Sequence, residues 1–119
     1  MSECWVSRLL YFLIVVTALF VGCSAGTPEV PLGPDGKPDQ ELTVGRDVWS
    51  QRCVSCHGKD GGGNSGPKLG GGKVVEVFPD PADERQLIAD GKGSMPAFSG
   101  ELSESELKAV VRYTREVLS

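Results

Sequence analysis

Two cysteines followed directly by the chain's single histidine constrain its fold more than any other feature. Residues 53–57 read Cys-Val-Ser-Cys-His, so two thiols three positions apart stand next to an imidazole. This spacing is typical of covalent haem attachment, in which each thiol adds across one vinyl group and the histidine ligates the iron. The motif predicts one covalent haem c held by Cys53 and Cys56, with His57 as an axial ligand.

Other chemistries of a Cys-x-x-Cys pair lack their partners in this sequence. A structural zinc site uses four ligands, but no other cysteine or histidine follows residue 41. A thioredoxin-like redox pair needs a βαβ context, which the sequence does not indicate. A structural disulfide between Cys53 and Cys56 stays an alternative, although it would close a very small loop.

The composition also restricts the second axial ligand of the iron. A second histidine is excluded, and the two methionines are Met1, in the leader, and Met95, in a Gly-Ser-Met-Pro-Ala-Phe segment between two predicted helices. A thioether ligand raises the reduction potential of haem iron. We predict that Met95 is this ligand. The alternative is that it fills a gap in the core.

The N-terminal segment indicates export to the membrane. Residues 9–21 are apolar except for Thr17, and this run is shorter than the roughly 20 residues that span a bilayer. Residues 20–23, Phe-Val-Gly-Cys, resemble the lipobox of bacterial lipoproteins. Residues 1–22 are therefore predicted to be a signal peptide followed by lipidation at Cys23, and the alternative is an uncleaved membrane anchor. Both readings place the remainder outside the cytoplasm, at the outer face of the bacterial cytoplasmic membrane.

Composition divides the exported part into two regions. Residues 23–41 are rich in proline, glycine and charge and are predicted to form a flexible tether. Residues 42–119 are predicted to form one domain. The whole chain has 16 glycines, 8 prolines and 7% aromatics, so a core made of protein alone would be thin without a cofactor.

Local signals predict three main helices and an all-α fold. The first is expected over residues 44–53 with Thr43 as its N-cap. The second is expected to begin after Asp80, with proline in its first position, and to end at Gly91. The glycine-rich residues 58–72 are predicted to be a loop passing close to a flat cofactor.

The third helix has the clearest start. Ser103 and Glu106 form a capping box, and Leu102 and Leu107 form a hydrophobic staple. An apolar stripe at helical spacing follows. Residues 73–78 are ambiguous between a strand and a helical turn.

Charge and motifs exclude several classes of function. The net charge is −4 with no basic patch, which argues against binding nucleic acid. No acid–base pair or nucleophile constellation is present, so the chain is predicted not to be an enzyme.

Residues 42–119 resemble a class I c-type cytochrome. The resemblance rests on motifs in the right order, namely Gly45, Val48 and Trp49 before the cysteine motif, then Gly66-Pro67-Lys68-Leu69, Leu87, Ile88 and Gly91, Met95-Pro96-Ala97-Phe98, and Tyr113 in the last helix. It implies a small cytochrome c fold with three main helices around the haem. It also implies that the Pro67 carbonyl accepts a hydrogen bond from His57, and that Tyr113 packs across Gly45.

The resemblance implies one-electron transfer between extracytoplasmic membrane redox proteins, such as respiratory complexes or a terminal oxidase. One alternative is a tightly bound electron-transfer subunit of an extracytoplasmic dehydrogenase. Another is a haem sensor in which the sixth position of the iron is open or labile.

Overall fold

The computed structural model describes residues 26–119, so the predicted signal peptide 1–22 and the lipidation site Cys23 lie outside the described residues. Its α-helices are α1 (Gln40–Val48), α2 (Val54–His57), α3 (Lys73–Val77), α4 (Pro81–Asp90) and α5 (Glu104–Glu116), and a π-helical segment, Trp49–Cys53, joins α1 to α2. Residues 26–119 contain no β-strand, only isolated bridges between Leu32 and Pro38 and between Lys92 and Met95. The all-α prediction is confirmed.

The start predicted for the first helix is wrong by one turn. Helix α1 begins at Gln40, and its N-cap is Asp39, whose carboxylate accepts a hydrogen bond from the Leu42 N–H at 3.0 Å. The hydroxyl of Thr43, the predicted cap, donates instead to the Asp39 carbonyl within the helix. The earlier start places Leu42 in the core.

The predicted limits of the second main helix and the predicted start of the third are confirmed. The Asp80 carboxylate accepts from the Ala82 N–H at 2.8 Å at the start of α4, which ends at Gly91. Helix α5 has the predicted capping box of Ser103 and Glu106. Residues 73–77, which the sequence left ambiguous, are helical.

Helices α1 and α5 pack most closely in the fold, and they do so at Gly45. A Cβ atom built on Gly45 would lie 2.7 Å from the Ala109 carbonyl carbon and 2.8 Å from the Tyr113 Cβ. Only a residue without a side chain lets the two helices cross at this distance. The core extends from this crossing and comprises Val30, Leu42, Val48, Trp49, Ala89, Phe98, Leu102, Leu107, Val110, Tyr113 and Leu118.

Part of the predicted tether contacts the domain in the structure. Arg46 donates to the carbonyls of Thr27 and Pro28, both at 3.0 Å, and the Tyr113 hydroxyl donates to the Pro28 carbonyl at 2.6 Å. Val30 is buried in the core. Residues 27–30 therefore pack on α1 and α5, while the division of the chain at residues 22 and 41 stays a prediction.

Tyr113→Phe should lower the free energy of unfolding by about 1 kcal/mol, because it deletes the hydrogen bond to Pro28 and keeps the buried ring. Residues 27–30 should also become easier to cleave. Denaturant unfolding and limited proteolysis measure the two effects, and Ser99→Ala serves as a control that removes an exposed hydroxyl. Equal stability of Tyr113→Phe and the wild type would show that this contact does not hold the segment.

A buried carboxylate that sequence reasoning missed joins α4 to α5. Glu84 is only 3% exposed and accepts hydrogen bonds from the Thr114 hydroxyl and from Arg115, at 2.5 and 3.2 Å. Arg115 also donates to the carbonyls of Phe78 and Pro79, at 2.7 and 3.1 Å. Burial raises the pKa of Glu84 despite these partners.

Glu84→Gln should change how stability depends on pH. Because the folded state raises the pKa of Glu84 above its ordinary value of 4.5, the folded protein holds this proton at pH values where the unfolded chain has lost it. The stabilising contribution of Glu84 is therefore complete below pH 4.5 and is lost as pH rises through the folded pKa. Denaturant unfolding across this range should show the wild type losing stability relative to Glu84→Gln. If the free energies of unfolding of the two proteins change in parallel with pH, the raised pKa of Glu84 is contradicted.

Candidate haem site

The cysteine motif lies at the junction of the π-helical segment and the one-turn helix α2. Cys53 is half-buried, Cys56 is exposed, and both thiols are free. Within residues 26–119 no group of three or more His, Cys, Asp or Glu side chains is placed to hold a metal ion, so a zinc site has no ligand set there.

The surroundings of Cys53 disfavour the thiolate form of this side chain. Burial, with a smaller effect of the neighbouring Cys56, raises the pKa of the Cys53 thiol to about 12. Thioredoxin-like chemistry instead uses a thiolate stabilised by a lowered pKa.

The ring of His57 is buried and fixed in orientation. The side chain is 8% exposed, and Nδ1 lies 2.9 Å from the Pro67 carbonyl oxygen. Because a carbonyl only accepts, Nδ1 carries a proton, and in the neutral ring Nε2 keeps a lone pair for a metal. Such a hydrogen bond is the usual device that orients a histidine ligand.

The loop that carries Pro67 passes directly over the imidazole at Gly66. A Cβ atom on Gly66 would lie 2.9 Å from His57 Cε1 and 3.0 Å from Nδ1, while the Gly66 N–H donates to the Cys56 carbonyl at 2.8 Å. At Gly66 the close neighbour is the histidine ring, and the predicted close approach of this loop to a flat cofactor stays a prediction.

The same loop satisfies the carbonyl groups at the end of α2, which would otherwise lack partners. The donors are backbone N–H groups and one side-chain amide: Gly58 to Val54, Asn64 Nδ2 to Ser55, Gly66 to Cys56, and Gly63 to His57, at distances of 2.8 to 3.0 Å. Sequence reasoning missed Asn64. An asparagine among glycines next to a short helix was the only signal for it.

Trp49 supports His57 from the side of the core. Its ring centroid lies 6.1 Å from that of His57 and 6.4 Å from that of Tyr113, and its Nε1 donates to the Lys59 carbonyl at 3.1 Å. The indole is 1% exposed. Trp49 therefore lies between Tyr113, at the crossing of α1 and α5, and the ring of His57.

Met95 lies in a tight turn between α4 and α5. The N–H of Lys92 donates to the Met95 carbonyl at 3.1 Å, and the N–H of Met95 donates to the Lys92 carbonyl at 3.0 Å. The side chain is partly buried and packs against the core. Ligation of iron by Met95 stays a prediction.

These residues fit a haem c. Two free thiols stand one helical turn apart, and the adjacent imidazole presents Nε2 while Pro67 holds its other nitrogen. A methionine in a turn that packs on the core is available as a soft second ligand.

Comparisons with known proteins agree with this geometry. Residues 40–113 match the protein family described as "Cytochrome C oxidase, cbb3-type, subunit III". Cytochrome c-551 of Bacillus subtilis (strain 168) is 29% identical over 104 residues, which cover 85% of this chain and 87% of that protein. Cytochrome c6 of Euglena gracilis is 36% identical over 73 residues, covering 58% of this chain and 84% of that protein.

A solved structure shares the fold. Part of dihydro-heme d1 dehydrogenase NirN, in complex with DHE, superimposes on 62% of this chain with a TM-score of 0.58 and 30% sequence identity. This chain spans only 16% of the length of that protein.

Proposed function

The chain belongs to the class I c-type cytochromes, a family that carries covalently bound haem c, and we propose that it is a one-electron carrier. In this proposal Cys53 and Cys56 form the two thioether bonds, and His57 and Met95 ligate the iron. The observation that supports it most is the 2.9 Å hydrogen bond from Nδ1 of His57, the histidine of the cysteine motif, to the Pro67 carbonyl oxygen.

When bound, haem would supply a reversible one-electron Fe(III)/Fe(II) couple, and the residues around His57 would hold its imidazole in place. Pro67 fixes the rotation of the imidazole, and Trp49 blocks its movement towards the core. The hydrogen bonds from the glycine-rich loop to the carbonyls of α2 prevent this short helix from fraying next to His57.

Carbon monoxide binding distinguishes the carrier from a haem sensor. If His57 and Met95 occupy both axial positions, the ferrous protein should not bind carbon monoxide tightly, and its redox titration should follow a single one-electron curve. Tight binding by the untreated protein would contradict the carrier and support a sensor with an open sixth position.

We further propose that a lipid on Cys23 holds the domain at the outer face of the cytoplasmic membrane. Support comes from the lipobox-like residues 20–23. No helix among residues 26–119 is long and apolar enough to cross a bilayer. Cys23→Ser should release the haem protein from the membrane fraction, whereas retention of this variant would favour an uncleaved anchor.

The proposed partners are membrane-bound electron donors and acceptors, including a terminal oxidase. The description of the matching family names a subunit of an oxidase, which favours an oxidase as the electron acceptor. Membranes that contain the oxidase should oxidise the ferrous protein, and failure to do so would remove it as acceptor.

The likeness to part of a dehydrogenase supports the second candidate, an electron-transfer subunit bound to such an enzyme. Co-purification with a dehydrogenase at fixed stoichiometry after detergent extraction would support that candidate. A protein that purifies alone would support a free carrier.

A further inference from the structure

Gly91, the residue that ends α4, lies in direct contact with the backbone of the Met95 turn. A Cβ atom on Gly91 would lie 2.6 Å from the Met95 carbonyl oxygen, 2.7 Å from the Pro96 carbonyl carbon and 2.7 Å from the Ala97 nitrogen. Ordinary Cβ contacts are longer than 3.0 Å. All three neighbours are backbone atoms, so no side-chain rotation relieves the overlap.

The segment that follows is attached to α4 and cannot simply shift along it. The N–H groups of Phe98 and Ser99 donate to the carbonyls of Ile88 and Ala89, both at 3.1 Å, and Phe98 is buried in the core. The turn is therefore held on both sides, by α4 before Gly91 and by Phe98 after it. A side chain at position 91 would have to displace the backbone between them, which carries Met95.

An ion pair also reaches the end of this segment but holds it weakly. Arg52, next to Cys53, pairs with Glu101 at 3.1 Å, and both side chains are about half exposed. Exposed pairs of this kind contribute little to stability. The close backbone contact at Gly91 is thus the stronger restraint on where the turn lies.

We propose that Gly91 is a positioning residue for Met95: its missing side chain lets residues 95–97 lie on the end of α4, and this contact places the thioether for ligation. The inference rests on the proposed ligation of iron by Met95. It assigns to Gly91 a role beyond ending the helix.

A second glycine in the same turn provides a matched control. Gly91 and Gly93 both have positive φ, +73° and +59°, so alanine strains the backbone at either position. A Cβ on Gly93, however, would meet nothing within 4 Å. The comparison therefore separates the contact with residues 95–97 from the effect of a positive φ. The ψ of 171° at Gly91, which only glycine commonly adopts at positive φ, adds backbone strain at that position.

The test compares full-length Gly91→Ala and Gly93→Ala haem proteins by the far-red sulfur-to-iron band of the ferric form, the reduction potential and carbon monoxide affinity. Gly91→Ala should lose most of the band, and its carbon monoxide affinity should rise at least about tenfold, because overpacking costs enough to displace the turn. Its potential should fall towards that of Met95→Ala. Gly93→Ala should keep all three properties, and circular dichroism should show both variants to be helical.

If the alanine protein does not fold, the three properties are measured on Gly91→Ala in the presence of trimethylamine N-oxide, an osmolyte that favours the compact state without binding the site. A normal band and potential in a folded Gly91 variant would overturn the inference. Equal losses in the Gly91 and Gly93 variants would also overturn it, because backbone strain would then explain both. Absence of the band from the wild type would instead refute the proposed Met95 ligation.

Discussion

Met95→Ala should leave the haem attached but lower the reduction potential by on the order of 100 mV or more, since axial ligands are a main determinant of haem potentials. Cys53, Cys56 and His57 are untouched, so covalent attachment and the proximal ligand should persist. The vacated position should bind carbon monoxide. Redox titration and the loss of the far-red ferric band measure the change.

The control for this prediction lies in the same turn. Ser94 is exposed and precedes the methionine, so Ser94→Ala should keep the potential, the band and the low carbon monoxide affinity. A Met95→Ala protein with an unchanged potential would show that Met95 only fills the core.

Gly45→Ala should cause the largest loss of stability, about 3 kcal/mol or more, because the new methyl group overlaps the Ala109 backbone and the Tyr113 Cβ. A small domain has only about 5 to 15 kcal/mol of stability, so the yield of folded haem protein should fall as well. Denaturant unfolding of the holoprotein measures the change. The crossing of α1 and α5 also supports Trp49 and, through it, His57.

Gly100→Ala is the matched control, since a Cβ at Gly100 would meet nothing within 4 Å and its φ is not positive. Its free energy of unfolding should change by less than about 0.5 kcal/mol. Equal losses in the two variants would mean that the helix crossing tolerates a side chain at position 45.

Features that depend on neighbouring residues could be predicted from the sequence. The capping box of α5 and the Asp80 start of α4 involve groups within three residues of each other, and both occur as expected. The cysteine motif is equally local. It led directly to the cofactor class that the family comparison supports.

Features that depend on distant parts of the chain could not be predicted in this way. The sequence predicted Thr43 as the cap of the first helix, whereas Asp39 caps α1 in the fold, where its carboxylate also pairs with Arg112, 73 positions away. The buried pair of Glu84 and Arg115 and the contact of Gly91 with the Met95 turn likewise require the packed structure. Local sequence gave no signal for the π-helical segment before the motif.

The most direct test of the haem assignment is an optical spectrum of the full-length chain, produced in a host that matures haem c, in ferric and ferrous forms and again after denaturation. We expect a c-type spectrum that stays with the polypeptide when it unfolds, because thioether bonds survive denaturation, and a far-red ferric band in the folded protein. Haem that separates from the denatured chain, or a chain that holds none, would contradict covalent attachment through Cys53 and Cys56.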